Sequence, residues 1–569
     1  MVRHDGRTVQ TGPGGLGRRG VRGRDRRRGG ARRRALAVGA RPDLGGPGAA
    51  RRRDRGHLRG RGRPRRRLGL AGERRRPRRA GVPGRRARRP DHGRRVTTPE
   101  GSPARGAGAT VEFHGAREGE ATLTWGQRLI WRAVHLMGDS QSFLNCPWVL
   151  PVYGRRDLAT VLDTLRVLIE RHETLRTTFH GTPDGPVQRV RRDGRLTVDL
   201  VEAGEERALR VAERISGELS TTAFVHDREL PLRCAAVLKA GRPMALALTF
   251  SHLAVDFQAL SLLSEEWKVL LRGEEPPPAD WHPMDQAALE REESFQARSA
   301  RSIRYWRAVL EEAPLDVFDH PPGAPEDPRF IEVGMESVAL AAAAETLAER
   351  WTISTTSVLL GACATVLATV SGRTKAVMQL VHSNRRDPRT RTMIGNVGQD
   401  GLFVLDPPSE GFADACREAH RAAFTAYRNA HYDPFAMQAM REDIGRRRGR
   451  EPDLDAFFND RRTIGTWPGV PRPAAGEIAG ESLADLTAKT RTYVTNAWPG
   501  VRFKAFFTVG AATDTGQLSL IADTAYLPLE TARAMLLGVE ALLVRALDED
   551  VPLAAVPRVC GVGPYAGTV

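Results

Sequence analysis

Lysine, cysteine and aromatic side chains are all scarce in this chain. Five lysines among 569 residues, in a protein with 87 basic residues, point to GC-rich coding DNA. The five cysteines (Cys146, Cys234, Cys363, Cys416, Cys560) are scattered, odd in number and without a paired spacing, so neither a disulfide framework nor a zinc module is expected. No apolar run is long enough to cross a bilayer: the longest, Ser357 to Val370, is short and rich in Thr, Ala and Gly, and predicts a buried helix. There is no HExxH, GxSxG, phosphate loop or CxxC, which removes zinc peptidases, α/β-hydrolases and nucleotide hydrolases from consideration. No secretory signal is visible, so the cytoplasm is the expected compartment.

Residues 1–95 lack Phe, Trp, Tyr and Ser altogether and are crowded with Arg and Gly. Such a segment cannot bury enough surface to offset chain entropy, and it predicts a disordered Arg/Gly-rich extension over 1–110. The formal charge of +19 is concentrated there: residues 1–100 carry 34 Arg and 7 acids, while the remaining chain has 53 basic and 61 acidic residues. A nucleic-acid partner inferred from net charge would therefore rest on one segment, and that segment has no aromatic residues for base stacking. Nucleic acid is not an expected partner, and neither is a membrane. Ordinary composition begins at Val96, so we expect the extension to have no function of its own and the native product to begin near that residue. The match of Gly12-Pro13-Gly14-Gly15-Leu16-Gly17 to a dinucleotide fingerprint lies within it, with no strand before and no helix after, and is discarded.

From about residue 120 the pattern is globular. Leu158, Val161, Leu162, Leu165, Leu168 and Ile169 recur at helical spacing after Arg156-Asp157 and predict an amphipathic helix reaching Arg171-His172. Thr177-Thr178-Phe179 then switches to strand-forming residues and is closed by the turn cluster Gly181-Thr182-Pro183-Asp184-Gly185. The apolar runs 231–238 and 244–250, separated by Lys239-Ala240-Gly241-Arg242-Pro243, predict a hairpin of two strands buried on both faces. The second strand delivers Ser251-His252-Leu253-Ala254-Val255-Asp256-Phe257 to a loop. There His252 presents an imidazole where substrate can reach it, with a carboxylate four residues on to lock the turn or the ring.

Arg171-His172-Glu173-Thr174-Leu175-Arg176-Thr177-Thr178-Phe179 resembles the RHExLRTxF element of the condensation domains of nonribosomal peptide synthetases, matching at every fixed position. Leu123 to Trp131 is similar to that family's opening segment, Ile394-Gly395-Asn396-Val397-Gly398-Gln399-Asp400 to its IGxFVNT segment, and Tyr432-Asp433-Pro434-Phe435 to a later Pro-Phe stretch. The resemblance spans roughly residues 120–550 and includes Thr355–Arg373 as the helix opening the second half. It implies an α/β fold of two chloramphenicol-acetyltransferase-like halves, over 111–300 and 301–569, forming a V-shaped pseudo-dimer with a central tunnel.

The family's HHxxxDG motif is degenerate here: Ser251 stands at the first His, His252 at the second, Asp256 at the Asp and Phe257 at the Gly. By resemblance His252 is the catalytic residue, and Asp256 is a structural residue paired with Arg176 or, failing that, Arg171. Ser251 and Phe257 are expected along the substrate channel. Adjacent residues leaving a strand face opposite ways, so Ser251 is expected to be structural and not half of a nucleophilic dyad with His252. Phe in place of Gly predicts a strained or reshaped loop, hence either a plugged site or one narrowed for an unusual substrate.

The chain ends soon after the matching region, which reads as a free-standing member. The implied reaction joins an acyl or aminoacyl thioester, tethered to the phosphopantetheine arm of a carrier protein, to an amine or alcohol acceptor or to a second carrier protein, in nonribosomal peptide or related biosynthesis. No metal or resident cofactor is implied. The alternative is a catalytically silent module that recruits a carrier protein or tailoring enzyme.

Overall fold

The computed structural model describes residues 108–407, 409–462, 477–478, 481–512 and 514–564. The extension expected over 1–110 lies outside the described residues except for Gly108–Thr110, which already belong to a strand, Gly108–His114.

The hairpin at 231–250 forms as strands Leu232–Lys239 and Arg242–Ser251, paired antiparallel. Its continuous apolar pattern has a two-sided cause. Ala236, Leu238, Leu246 and Leu248 join a core with helices Leu158–Arg171 and Phe257–Leu271, while Ala235, Val237, Ala245 and Ala247 meet helix Ala208–Ser220. The first of these helices starts where the sequence indicates, with the Asp157 carboxylate accepting from the Thr160 N–H at 2.7 Å. The hairpin is the middle of a five-stranded sheet in the order Gly108–His114, Asp193–Glu202, Leu232–Lys239, Arg242–Ser251, Asn145–Pro151. A three-stranded sheet, Gly119–Thr122, Val187–Val190, Thr177–His180, lies beside it in the chain's first half.

The second half is built on a seven-stranded sheet in the order Gln399–Leu405, Ala376–His382, Ala456–Asp460, Ala505–Val509, Gly516–Asp523, Phe330–Ser337, Arg491–Trp498. The period-2 alternation of strands divides its faces. Leu380, Phe458, Phe507, Leu520 and Val333 form one register row, all buried in the core with helices Val338–Trp351, Thr355–Val370, Phe412–Arg428 and Leu529–Ala546. The adjacent row, Gln379, Phe457, Phe506, Ile521 and Glu332, faces the other way. Three of its members line the large cavity described below.

Two boundaries differ from the sequence reading. Helix Glu293–Glu312 runs straight through the expected division at residue 300, because its Trp306 packs on Tyr432 of the second half, ring centroids 5.4 Å apart. Helix Thr355–Val370 does not open the second half; strand Phe330–Ser337 and helix Val338–Trp351 precede it. No single described helix is long and apolar enough to cross a membrane.

The halves are tied together by helix Trp125–Met137. Its N-cap Thr124 donates its hydroxyl to the Asn396 carbonyl at 2.8 Å, and the Arg128 guanidinium donates to Asp433 at 2.9 Å. Gly126 is required by this approach: a Cβ there would stand 2.7 Å from the Asn396 carbonyl oxygen.

Candidate active site

The strand Arg242–Ser251 ends where its last residue turns inward. Ser251 is buried, with its hydroxyl accepting from the Leu253 N–H at 3.3 Å and facing the His226 imidazole at 3.5 Å. It takes no part in lining the cavity, so its expected channel position is corrected: the pleat directs it into the first half's core. His252, one residue on, faces the opposite way and lines a cavity of about 1140 Å³ between the halves.

The turn at 251–256 holds the imidazole in one state. His252 Nδ1 lies 2.7 Å from the Val255 carbonyl oxygen, an acceptor only, so Nδ1 carries a proton and the lone pair of the neutral ring is on Nε2. From the second half, Asn396 donates its side-chain N–H to the His252 carbonyl at 2.6 Å. A neutral imidazole oriented by its own backbone needs no carboxylate partner to act as a base.

Asp256 ends the turn as N-cap of helix Phe257–Leu271, accepting from the Ala259 N–H at 2.8 Å. Its ion-pair partner is Arg385 of the second half: one guanidinium nitrogen lies 2.7 and 2.8 Å from the two carboxylate oxygens. Arg385 also donates to the carbonyls of Thr390, Met393 and Gly395. The pairing expected with Arg176 or Arg171 is therefore corrected. Arg176 is buried elsewhere and donates to the carbonyls of Arg117 and Arg191, and burial pulls its guanidinium below the ordinary value. Arg171 faces Glu266 and the Pro277 carbonyl. The RHETLRTTF element reaches the loop through a different atom, the Thr174 hydroxyl, which donates to the Ala254 carbonyl at 2.7 Å.

Phe257 occupies the first helical position after the cap, where any residue fits. It is not among the non-glycine residues with left-handed backbone, Ala240, Thr352 and Asn384, so the expected strain is absent. The family's Gly is replaced without a backbone cost because the helix starts at this residue. The Phe257 ring packs edge-on against Trp148 at 5.9 Å with the Arg461 guanidinium 5.9 Å from its centroid. Phe257 and Arg461 line both the large cavity and an adjoining one of about 250 Å³.

Cys146 also lines the large cavity, but burial pushes its thiol up to about 12, which leaves no thiolate for nucleophilic chemistry near neutral pH. Among the described residues no three His, Cys, Asp or Glu side chains converge as metal ligands. Arg385, Asn396 and Asp400 are site residues that sequence reasoning did not single out. Asn396 and Asp400 sat in a recognised segment without an assigned role, and Arg385 had no signal beyond being one arginine among many.

The condensation-domain family model matches residues 117–458, and the chain belongs to the condensation-domain family. Among curated proteins, surfactin synthase subunit 2 of Bacillus subtilis (strain 168) is 27% identical over 320 residues, 54% of this chain and 9% of that protein. The chain thus spans under a tenth of that relative's length. Among solved structures, the X-domain from teicoplanin biosynthesis aligns with a TM-score of 0.58 at 19% identity, covering 78% of this chain and 98% of that one. The condensation domain of the Monacolin K polyketide synthase MokA aligns with a TM-score of 0.59 at 15% identity, covering 76% and 99%. At these identities the two structures establish the shared fold.

Proposed function

We propose that this chain condenses a carrier-protein-bound acyl or aminoacyl thioester with an amine or alcohol, with His252 as the general base. The observation that carries the reading is the Nδ1 contact of His252 with the Val255 carbonyl, which leaves Nε2 basic on the wall of a cavity large enough for two reactants. The acceptor nitrogen or oxygen attacks the thioester carbonyl, Nε2 takes its proton, and a tetrahedral centre forms. Collapse breaks the carbon–sulfur bond, and the imidazolium returns the proton to the departing phosphopantetheine thiolate, leaving an amide or ester and a free carrier thiol. Alignment of the two bound reactants supplies much of the acceleration, and the base adds about 10²–10⁴-fold.

Asp256 and Arg385 support this role as positioning residues: they fix the start of helix Phe257–Leu271 and the Gly395–Asn396 segment on which the His252 loop rests. The test is intact-mass analysis of loaded carrier proteins incubated with the full chain and its His252→Ala variant. Product in the wild type and its loss in the variant support the reading. A wild type that binds carrier but turns over no acceptor would replace it with the recruiting module.

A further inference from the structure

The wall of the large cavity holds a carboxylate, Asp400, that has no ion-pair partner among the described residues. Asp400 lies on the edge strand Gln399–Leu405, on the sheet face shared by Leu402 and, across the strand pair, Val381 and Gln379. It lines the cavity that His252 also lines, with Gly398 and Asn396 lying between the two along the chain. The Tyr432 phenol lies within the field of Asp400, and three amides on this side of the cavity are committed elsewhere. The Gln379 amide donates to the Leu454 carbonyl at 2.9 Å, the Gln399 amide donates to the Tyr432 carbonyl at 2.7 Å, and Asn384 donates to the Ala430 carbonyl at 2.9 Å. Arg441, another lining residue, is turned to Glu451 at 3.4 Å. Arg132, also on the cavity wall, is held below its ordinary value first by burial and then by Arg441.

Burial alone pushes the Asp400 carboxyl up to about 7, with no cation pulling it back. A carboxylate on a cavity wall with no ion-pair partner favours a ligand that brings an N–H donor to it. Neutral alkyl or aromatic groups would leave it without a partner.

We propose that Asp400 is a specificity-determining residue that selects a substrate carrying a basic nitrogen, an alkylammonium or guanidinium, away from the reacting amine or hydroxyl. The carboxylate takes the N–H donors of that group. The family segment IGxFVNT has Thr at this position, so the acid is a departure of this chain. The inference rests on the cavity being the substrate cavity of the proposed condensation.

The experiment compares binding of lysine amide and norleucine amide to the full chain by calorimetry at about pH 8, where the Asp400 carboxyl is ionised. The two probes share the α-amine and differ in the distal ammonium. The wild type is expected to favour lysine amide by roughly tenfold or more, and Asp400→Asn and Asp400→Thr to bring the ratio near one while circular dichroism stays unchanged. Equal binding of the two probes by the wild type, binding of neither, or a preference that survives both substitutions overturns the proposal. Because no carrier or turnover enters this measurement, a retained preference without condensation would sink the functional reading and leave the selectivity of Asp400 standing.

Discussion

Asp256 and Arg385, 129 residues apart in the chain, are joined by contacts of 2.7 and 2.8 Å from one guanidinium nitrogen to both carboxylate oxygens. Both residues are buried, and Asp256 simultaneously caps a helix while Arg385 holds three backbone carbonyls. The pair therefore locks the His252 turn to the second half of the protein.

Removing either partner strands the other. Asp256→Ala and Arg385→Ala are each expected to destabilise the fold by roughly 3–5 kcal/mol, with the double variant costing far less than the sum. Urea unfolding of the three variants gives the coupling. A parallel cycle between Asp256 and Arg176 is expected to show none, and coupling there as large as with Arg385 would contradict the geometry.

Replacing His252 by Ala is expected to lower condensation by about two to four orders of magnitude while leaving carrier-protein affinity nearly unchanged, since a base acts in the transition state. Single-turnover rates with a loaded carrier, alongside carrier binding constants, separate the two effects. Retention of most of the turnover would show that reactant alignment alone drives the reaction.

Shortening Phe257 to Ala removes the ring between the two adjoining cavities without touching the Asp256 cap. We expect the preference between a bulky and a small acceptor amine, measured as kcat/KM, to move roughly tenfold toward the bulky one, with carrier affinity unchanged. An unaltered preference would mean that the ring does not bound the acceptor space.

Glu290, together with Asp400, gives stability a pH dependence around and above neutrality. Burial pushes its carboxyl up to about 8, although the Gln286 amide and the Trp125 N–H, at 2.9 and 2.7 Å, pull it down. The folded protein therefore binds a proton that the unfolded chain has released, so stability is fully present below the ordinary carboxylate range and falls as pH rises toward 8. The slope approaches about 1.4 kcal/mol per pH unit for a single group. The buried His226 and His382 are neutral in the folded protein while their unfolded counterparts titrate near 6.5, so their opposite contribution fades by about pH 7.5 and is common to wild type and variant. Denaturant midpoints between about pH 6.5 and 8.5 should decline less steeply in Glu290→Gln than in the wild type. Parallel declines would refute the assignment.

Much of the framework was legible in the residues themselves. The helix at 158–171 and the hairpin at 231–250 follow from apolar spacing at periods of 3.6 and 2, and the nine residues from Arg171 to Phe179 carried the family resemblance unaided. The opposite directions of Ser251 and His252 follow from the pleat. These are local properties, decided within a few residues of one another.

Where reasoning from the linear chain failed, the determining contact was distant. Nothing near Asp256 marks Arg385 as its partner over Arg176, which is closer in sequence and sits in the recognised motif. Only folding places one guanidinium at the carboxylate and buries the other among the Arg117 and Arg191 carbonyls. Phe257 looked strained because a Gly was expected in a loop; the side-chain cap of Asp256 starts a helix one residue earlier than a loop would end, and the strain vanishes. Asp400 reads as one strand residue among seven until folding sets it on the cavity wall and turns the neighbouring Gln379 and Gln399 amides to backbone carbonyls. Local sequence sets backbone propensity and the direction of each side chain, whereas which charges are paired, and which are left for a ligand, depends on desolvation and contacts that exist only once the two halves have closed on one another.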